Sequence, residues 1–192
     1  MIVGVVMLII AILIVVLFFN LVRSIFGGGD KEKQTTKAQT LDLTKAAAAG
    51  EEVRFTIRGI INAEENHREI RIIVNDKMRR AEVVKGYQNQ ILKAIELPNS
   101  RGAYESFMSA LRGAGFANAV APEGRGTEIA SCPLGRGYIY EAAPGKENYF
   151  RTWSTSCSAK FGTFTGNRSS VQTLFQRQIP NYNEFTADVT LI

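Results

Sequence analysis

The chain has 192 residues, with 23 Lys+Arg against 18 Asp+Glu and a formal net charge of +5. From Glu51 onward the balance is 18 basic to 15 acidic side chains, a net of +3, which excludes the dense positive field of a dedicated nucleic-acid binder. Those roughly 140 residues suffice for one domain with a real core and are too few for two.

Ile2 to Phe19 reads IVGVVMLIIAILIVVLFF without a charge. With Leu21 and Val22 it reaches the ~20 apolar residues with which a helix spans ~30 Å of hydrocarbon. The run lacks the basic start and small-residue cleavage site of a secretory signal, and it has no polar face such as a soluble helix keeps. Residues 1–26 are therefore expected as one transmembrane helix. Residues 27–50 begin Gly27-Gly28-Gly29 and hold few large apolar side chains, which is the composition of a flexible spacer; residues 45–49 offer at most a transient helical turn.

At Val53 the texture changes. Val53, Phe55 and Ile57 alternate with Arg54, Thr56 and Arg58, the period-2 pattern of a half-buried strand. Ile70, Ile72 and Val74 repeat it, Arg80 to Lys85 gives a third strand, and Ile91 to Leu97 a fourth. The short turns Asn75-Asp76-Lys77 and Tyr87-Gln88-Asn89 predict an antiparallel meander. Pro98 stops it, and Asn99 or Ser100 caps a helix with Tyr104, Phe107, Met108 and Leu111 on one face. A Gly- and Pro-containing loop follows from Ala117 to about Pro133. Strands over 137–142 and 147–154 form a hairpin through Ala143-Pro144-Gly145-Lys146. Ser169 or Ser170 caps a second amphipathic helix bearing Val171, Leu174, Phe175 and Ile179. Phe185, Ala187, Val189 and Leu191 alternate as an edge strand. The class predicted is α+β: an antiparallel meander plus hairpin, with two amphipathic helices on one side, in a single domain over 51–192.

Cys132 and Cys157 are the most informative pair. With Pro144-Gly145 at the hairpin tip, facing residues have numbers summing to 289: Tyr140 faces Tyr149, Tyr138 faces Arg151, Arg136 faces Trp153. Cys132 and Cys157 share that sum, so the extended ladder brings them together as a disulfide, worth about 3 kcal/mol in the chain-entropy model. The other reading is two buried thiols. The same register collects Arg136, Tyr138, Tyr140, Tyr149, Arg151 and Trp153 on one face, a possible binding face of rings and guanidinium groups; packing beneath a helix is the plainer reading.

No catalytic or cofactor pattern emerges. His67, the only histidine, lies in a charged stretch read as a solvated loop, with no nucleophile near it in sequence. Ser154, Thr155 and Ser156 lack a nucleophile-elbow context. Two cysteines and one distant histidine do not make a metal site, and Gly124-Arg125-Gly126 and Gly135-Arg136-Gly137 are too short for a phosphate loop. Asn167-Arg168-Ser169 is a formal glycosylation sequon. Arg54, Arg58, Arg71, Arg79, Arg80 and Lys85 would line the outer face or edges of the meander, among Glu64, Glu65, Glu69, Asp76 and Glu82, which blunt their field.

Sidedness is contested by two signals. Arg23, Lys31 and Lys33 follow the apolar run and nothing basic precedes it, which favours a cytoplasmic domain. The cysteine pair favours an oxidising compartment, and an upstream start adding a basic tail would reconcile the two. An extracytoplasmic domain is the reading adopted.

Cys132, Gly135-Arg136-Gly137-Tyr138-Ile139-Tyr140-Glu141, Trp153-Ser154-Thr155-Ser156-Cys157, Gly162-Thr163-Phe164 and Leu174-Phe175…Gln178-Ile179-Pro180-Asn181-Tyr182 together resemble uncharacterised single-pass membrane-anchored proteins of small-genome candidate-phylum bacteria. The resemblance covers most of the chain after Val53 and implies a domain outside the membrane, without an activity. In layout alone the order of strands, helix, hairpin and helix is similar to emfourin-type inhibitors of thermolysin-like proteases. The function expected is a non-catalytic, membrane-anchored extracytoplasmic binding or scaffold module of the cell envelope, without cofactors. Its partners would be the membrane, through one N-terminal span, and a protein or anionic surface polymer. The alternatives are a tethered protease-inhibitor-like domain and a cytoplasmic-facing anchored domain.

Overall fold

A computed structural model describes residues 38–143, 146 and 149–191. The expected transmembrane helix lies outside these residues, and among the described ones no helix is long and apolar enough to cross a membrane. Ten elements follow in chain order: α1 (Leu43–Ala48), β1 (Val53–Arg58), β2 (Arg68–Val74), β3 (Met78–Lys85), β4 (Gln90–Pro98), α2 (Arg101–Gly113), β5 (Gly137–Ala142), β6 (Phe150–Thr155), α3 (Arg168–Gln176) and α4 (Tyr182–Phe185). The strands form one six-stranded sheet in the order β4-β3-β2-β1-β5-β6, antiparallel throughout. The α+β class and the meander stand as read.

Alternation decides the two faces. Val53, Phe55 and Ile57 of β1, Ile70, Ile72 and Val74 of β2, and Ala81 and Val83 of β3 are buried on one side. There all of them but Val83 share one core with Tyr104, Phe107, Met108 and Leu111 of α2 and Val171 and Phe175 of α3. The Phe55 ring lies 5.5 Å from Phe175 and 5.4 Å from Tyr140, and Phe107 meets Phe175 edge-on at 5.1 Å. Such aromatic pairs add to the burial term that drives the packing. Ser100 caps α2, its Oγ accepting from the Ala103 amide.

Four expectations are corrected. The supposed spacer is structured over its last third: Asp42 caps α1 by accepting from the Thr44 and Lys45 amides, and Leu43 and Ala46 are buried in the core. The cap of α3 is Asn167, not a serine; its Oδ1 accepts from the Ser170 amide at 2.9 Å. The C-terminal alternation does not make a strand. Asn181 takes a left-handed φ of 55°, the Phe185 and Thr186 amides donate back to Asn181 and Tyr182, and the chain turns into α4. The edge of β6 is occupied elsewhere, since the Phe164 amide donates to the Trp153 carbonyl and the Arg151 amide to the Gln39 side chain.

The fourth correction is the hairpin register. Ala142 faces Phe150, Glu141 faces Arg151, Tyr140 faces Thr152, Ile139 faces Trp153 and Tyr138 faces Ser154, so paired numbers sum to 292 and the connection runs over 143–149. Register follows whichever alternate set can be buried. The sum of 289 would have put Arg151 in the core beside Tyr138. The observed sum puts fully apolar Phe150 there, 1% exposed, and turns Arg151 outward.

Candidate binding groove on the open sheet face

Helices cover one face of the sheet, and the opposite face carries charge. Its rows follow from the registers: Glu96, Arg80, Ile73, Arg54, Glu141 and Arg151 in one, and Ala94, Glu82, Arg71, Thr56, Ile139 and Trp153 in the next. Where two charges face each other across strands in these rows they are opposite in sign, as in Glu96–Arg80, Glu82–Arg71 and Arg54–Glu141–Arg151, the pairing that stabilises a sheet face. Arg80 meets Glu82 at 2.7 Å and Glu96 at 3.4 Å. Arg71 meets Glu82 at 3.2 Å and Glu69 at 3.7 Å. Arg54 meets Glu52 at 2.8 Å and Glu141 at 3.7 Å.

The loop between α2 and β5 folds over one side of this face. Its Glu128 carboxylate accepts from Arg151 Nη2 with both oxygens, at 2.8 and 2.7 Å, and from Arg58 Nη1 at 3.0 Å. The Arg58 Nη2 donates to the Glu128 carbonyl at 2.5 Å. Gly137, the cross-strand neighbour of Arg58, leaves room for the guanidinium, which a Cβ there would meet at 2.9 Å. Arg151 also donates to Glu141 at 2.9 Å, and the Tyr149 hydroxyl donates to the same carboxylate. Burial, then the Glu141 carboxylate, raises the Tyr149 phenol above its ordinary value.

A disulfide fastens the loop. Cys132 and Cys157 are bridged, with Cα atoms 5.8 Å apart and a sequence separation of 25. The route differs from the extended ladder: the Ser156 amide donates to the Arg136 carbonyl and the Gly135 amide to the Cys132 carbonyl, so a turn carries Cys132 back to its partner. Gly135 sits against both sulfurs and leaves no room for a Cβ.

Between this loop and the β3–β4 turn lies a groove of about 440 Å³. Its floor is Thr56, Arg71, Ile139 and Glu69; Glu128 and Ile129 form one wall, and Tyr87 and Asn89 the other. Tyr87 is fixed in place. Its hydroxyl donates to the Asn62 carbonyl at 2.8 Å and accepts from the Asn62 amide at 3.1 Å. Its ring stacks on His67 at 4.3 Å, with 14° between planes. His67 is thus not solvated: it is 1% exposed, with Nδ1 donating to the Ile60 carbonyl at 3.0 Å and Nε2 3.6 Å from Glu69.

The face predicted from the hairpin is divided by the observed register. Tyr138 and Tyr140 point into the core, 8% and 0% exposed. Arg151 and Trp153 lie on the open face, Tyr149 reaches it through Glu141, and Arg136 is exposed beyond the strand. Of the basic residues, Arg54, Arg58, Arg71 and Arg80 share the open face, whereas Arg79 and Lys85 pair opposite Val74 and Arg68 on the other. The Ser154 hydroxyl bonds to Tyr140 and the Ser156 hydroxyl accepts from the Arg136 amide, so neither is joined to His67. Among the described residues no cluster of His, Cys, Asp and Glu could hold a metal ion. The sequence marks Tyr87 and Asn89 only as a turn and gives Glu128 and Ile129 no role, yet all four line the groove. All four sit in turns or loops, where no periodicity marks a shared surface.

No family of known proteins, no curated protein and no solved structure matches the chain.

Proposed function

We propose that the chain is a membrane-anchored, extracytoplasmic binding or scaffold module of the cell envelope that performs no catalysis, and that its binding surface is the open-face groove. The observation that carries the reading is the one-sided cladding of the sheet, with a disulfide-held loop making a wall on the bare side. Grooves with a few fixed polar groups are the usual form of a recognition site. The uncharged run Ile2 to Phe19 supports the anchor, and the disulfide supports an oxidising compartment.

A photo-crosslinking side chain at Ile129, which is 61% exposed, tests the surface. In intact cells it should yield discrete adducts that are lost when the crosslinker sits instead at Ser106 on the helical side. Equal adducts from both sites would mean that the groove is not the binding surface. A membrane-impermeant maleimide on intact cells should label Cys132 and Cys157 only after an impermeant reductant has been applied; labelling only after lysis would reverse the sidedness.

A further inference from the structure

We infer that the groove takes a neutral oligosaccharide, one sugar ring lying on Tyr87 and its hydroxyls bonded to Arg71, Glu69 and Asn89. The inference rests on the reading of the chain as a binding module and names the class of ligand.

Three observations carry it. The first is charge compensation. Arg71 is matched by Glu69 and Glu82, Arg54 by Glu52 and Glu141, and Arg58 and Arg151 by Glu128. An anion entering here must displace a carboxylate already in place, and stranding that partly buried charge is costly. What remains is a close array of planar donors and acceptors with little net field. That suits a ligand which both donates and accepts at every position, as vicinal hydroxyls do. The second is the ring. Tyr87 is 48% exposed, yet one of its faces is covered by His67 and its hydroxyl is held twice by Asn62. The exposed part is a pre-set apolar platform for the C–H face of a sugar, and pre-organisation lowers the cost of binding. The third is position. The groove lies on the sheet's face, whereas an extended peptide that adds by main-chain bonding needs a strand edge. Asn89, at a left-handed φ of 59°, accepts from Arg71 Nη2 with its Oδ1 at 2.9 Å, which leaves its side-chain nitrogen as a donor. The volume of about 440 Å³ is within the range of small-ligand sites.

The test is an amide-resolved NMR titration of the full-length chain, held in a polyoxyethylene detergent because sugar-headed detergents would compete. The probes are tri-N-acetylchitotriose, cellotriose and, as a charged control, inorganic polyphosphate. Expected are saturable shifts at Arg71, Tyr87, Asn89 and Ile129 with at least one trisaccharide and none with polyphosphate. Tyr87→Ala should weaken binding about tenfold, the scale of one aromatic contact. Since that change also uncovers His67, Ile129→Glu serves as the second variant; it alters an exposed side chain, should leave the melting temperature unchanged and should weaken binding to a similar degree. The inference is overturned if neither sugar moves these amides, or if both variants bind as the parent does. Should polyphosphate move them and the sugars not, the ligand class is wrong and the binding-module reading survives. Silence from all three probes, with no adduct at Ile129 in cells, removes both.

Discussion

Arg151 joins two carboxylates that would otherwise repel each other, with Nη1 on Glu141 and Nη2 on both oxygens of Glu128. Glu141 is 7% exposed, so truncating its partner leaves a buried charge without its closest cation. Arg151→Ala should lower stability by about 1–3 kcal/mol in urea denaturation, and Arg151→Lys by less, because an ammonium keeps the charge and loses the fork. Unchanged stability in the alanine variant would mean Arg54 alone holds Glu141. At this scale the sequence was a partial guide. Phe55, Tyr104 and Phe175 sit where their spacing put them. The hairpin side chains did not, because a connection of seven residues in place of two or four changes which residue numbers face each other. His67 departs from expectation for a related reason: its flanking charges suggest water, but its ring is covered by Tyr87 from a distant turn.

The loop from α2 to β5 is the element that turns an exposed sheet face into a groove. Its ties are the Glu128 ion pairs, the Val120 amide on the Thr163 carbonyl and the Cys132–Cys157 bridge. Replacing both cysteines by serine should cost about 3 kcal/mol, as expected for opening a loop of this length. Hydrogen exchange should then accelerate at Ile129 and Ser131 more than in β1 and β2. Uniform acceleration would mean the bridge stabilises the fold without shaping the wall. Strands β1 to β5 and helix α2 were legible because each has a period and a stop signal: alternation for the strands, and Ser100 with a four-residue stripe for α2. Helices α1 and α4 were not. Six and four residues are too few to show a helical period, and what forms them is capping by Asp42, the Asn181 turn and packing on the core.

Over the whole molecule the helical side holds the aromatic core, and its tyrosines give the fold a pH signature. Burial raises Tyr104 and Tyr140 well above the ordinary phenol value of 10.0, with Tyr182 shifted the same way. Tyr104 donates to the Glu51 carbonyl at 2.5 Å. In the unfolded chain these phenols lose their protons near pH 10 while the folded chain still holds them, so the unfolded state binds fewer protons and stability falls as pH rises. The contribution is complete below about pH 10, the unfolded value, and is lost as pH climbs through the raised folded values. Urea midpoints should be flat from pH 8 to 9.5 and decline steeply above 10. Tyr140→Phe should soften that decline, and an equal slope in the variant would assign it to other groups.

The bare side of the sheet separates two demands that most domains must meet with the same side chains. In β1, Phe55 and Ile57 answer to cohesion, while Arg54, Thr56 and Arg58 on the same strand answer to whatever rests against them. The charges there sit outside the packed rings of the helical side, in a network where Glu82, Glu128 and Glu141 each serve more than one arginine. Descendants of this chain could therefore drift in what they hold while folding by an unaltered recipe, and kinship would be easier to see in the even spacing of buried residues than in the groove itself.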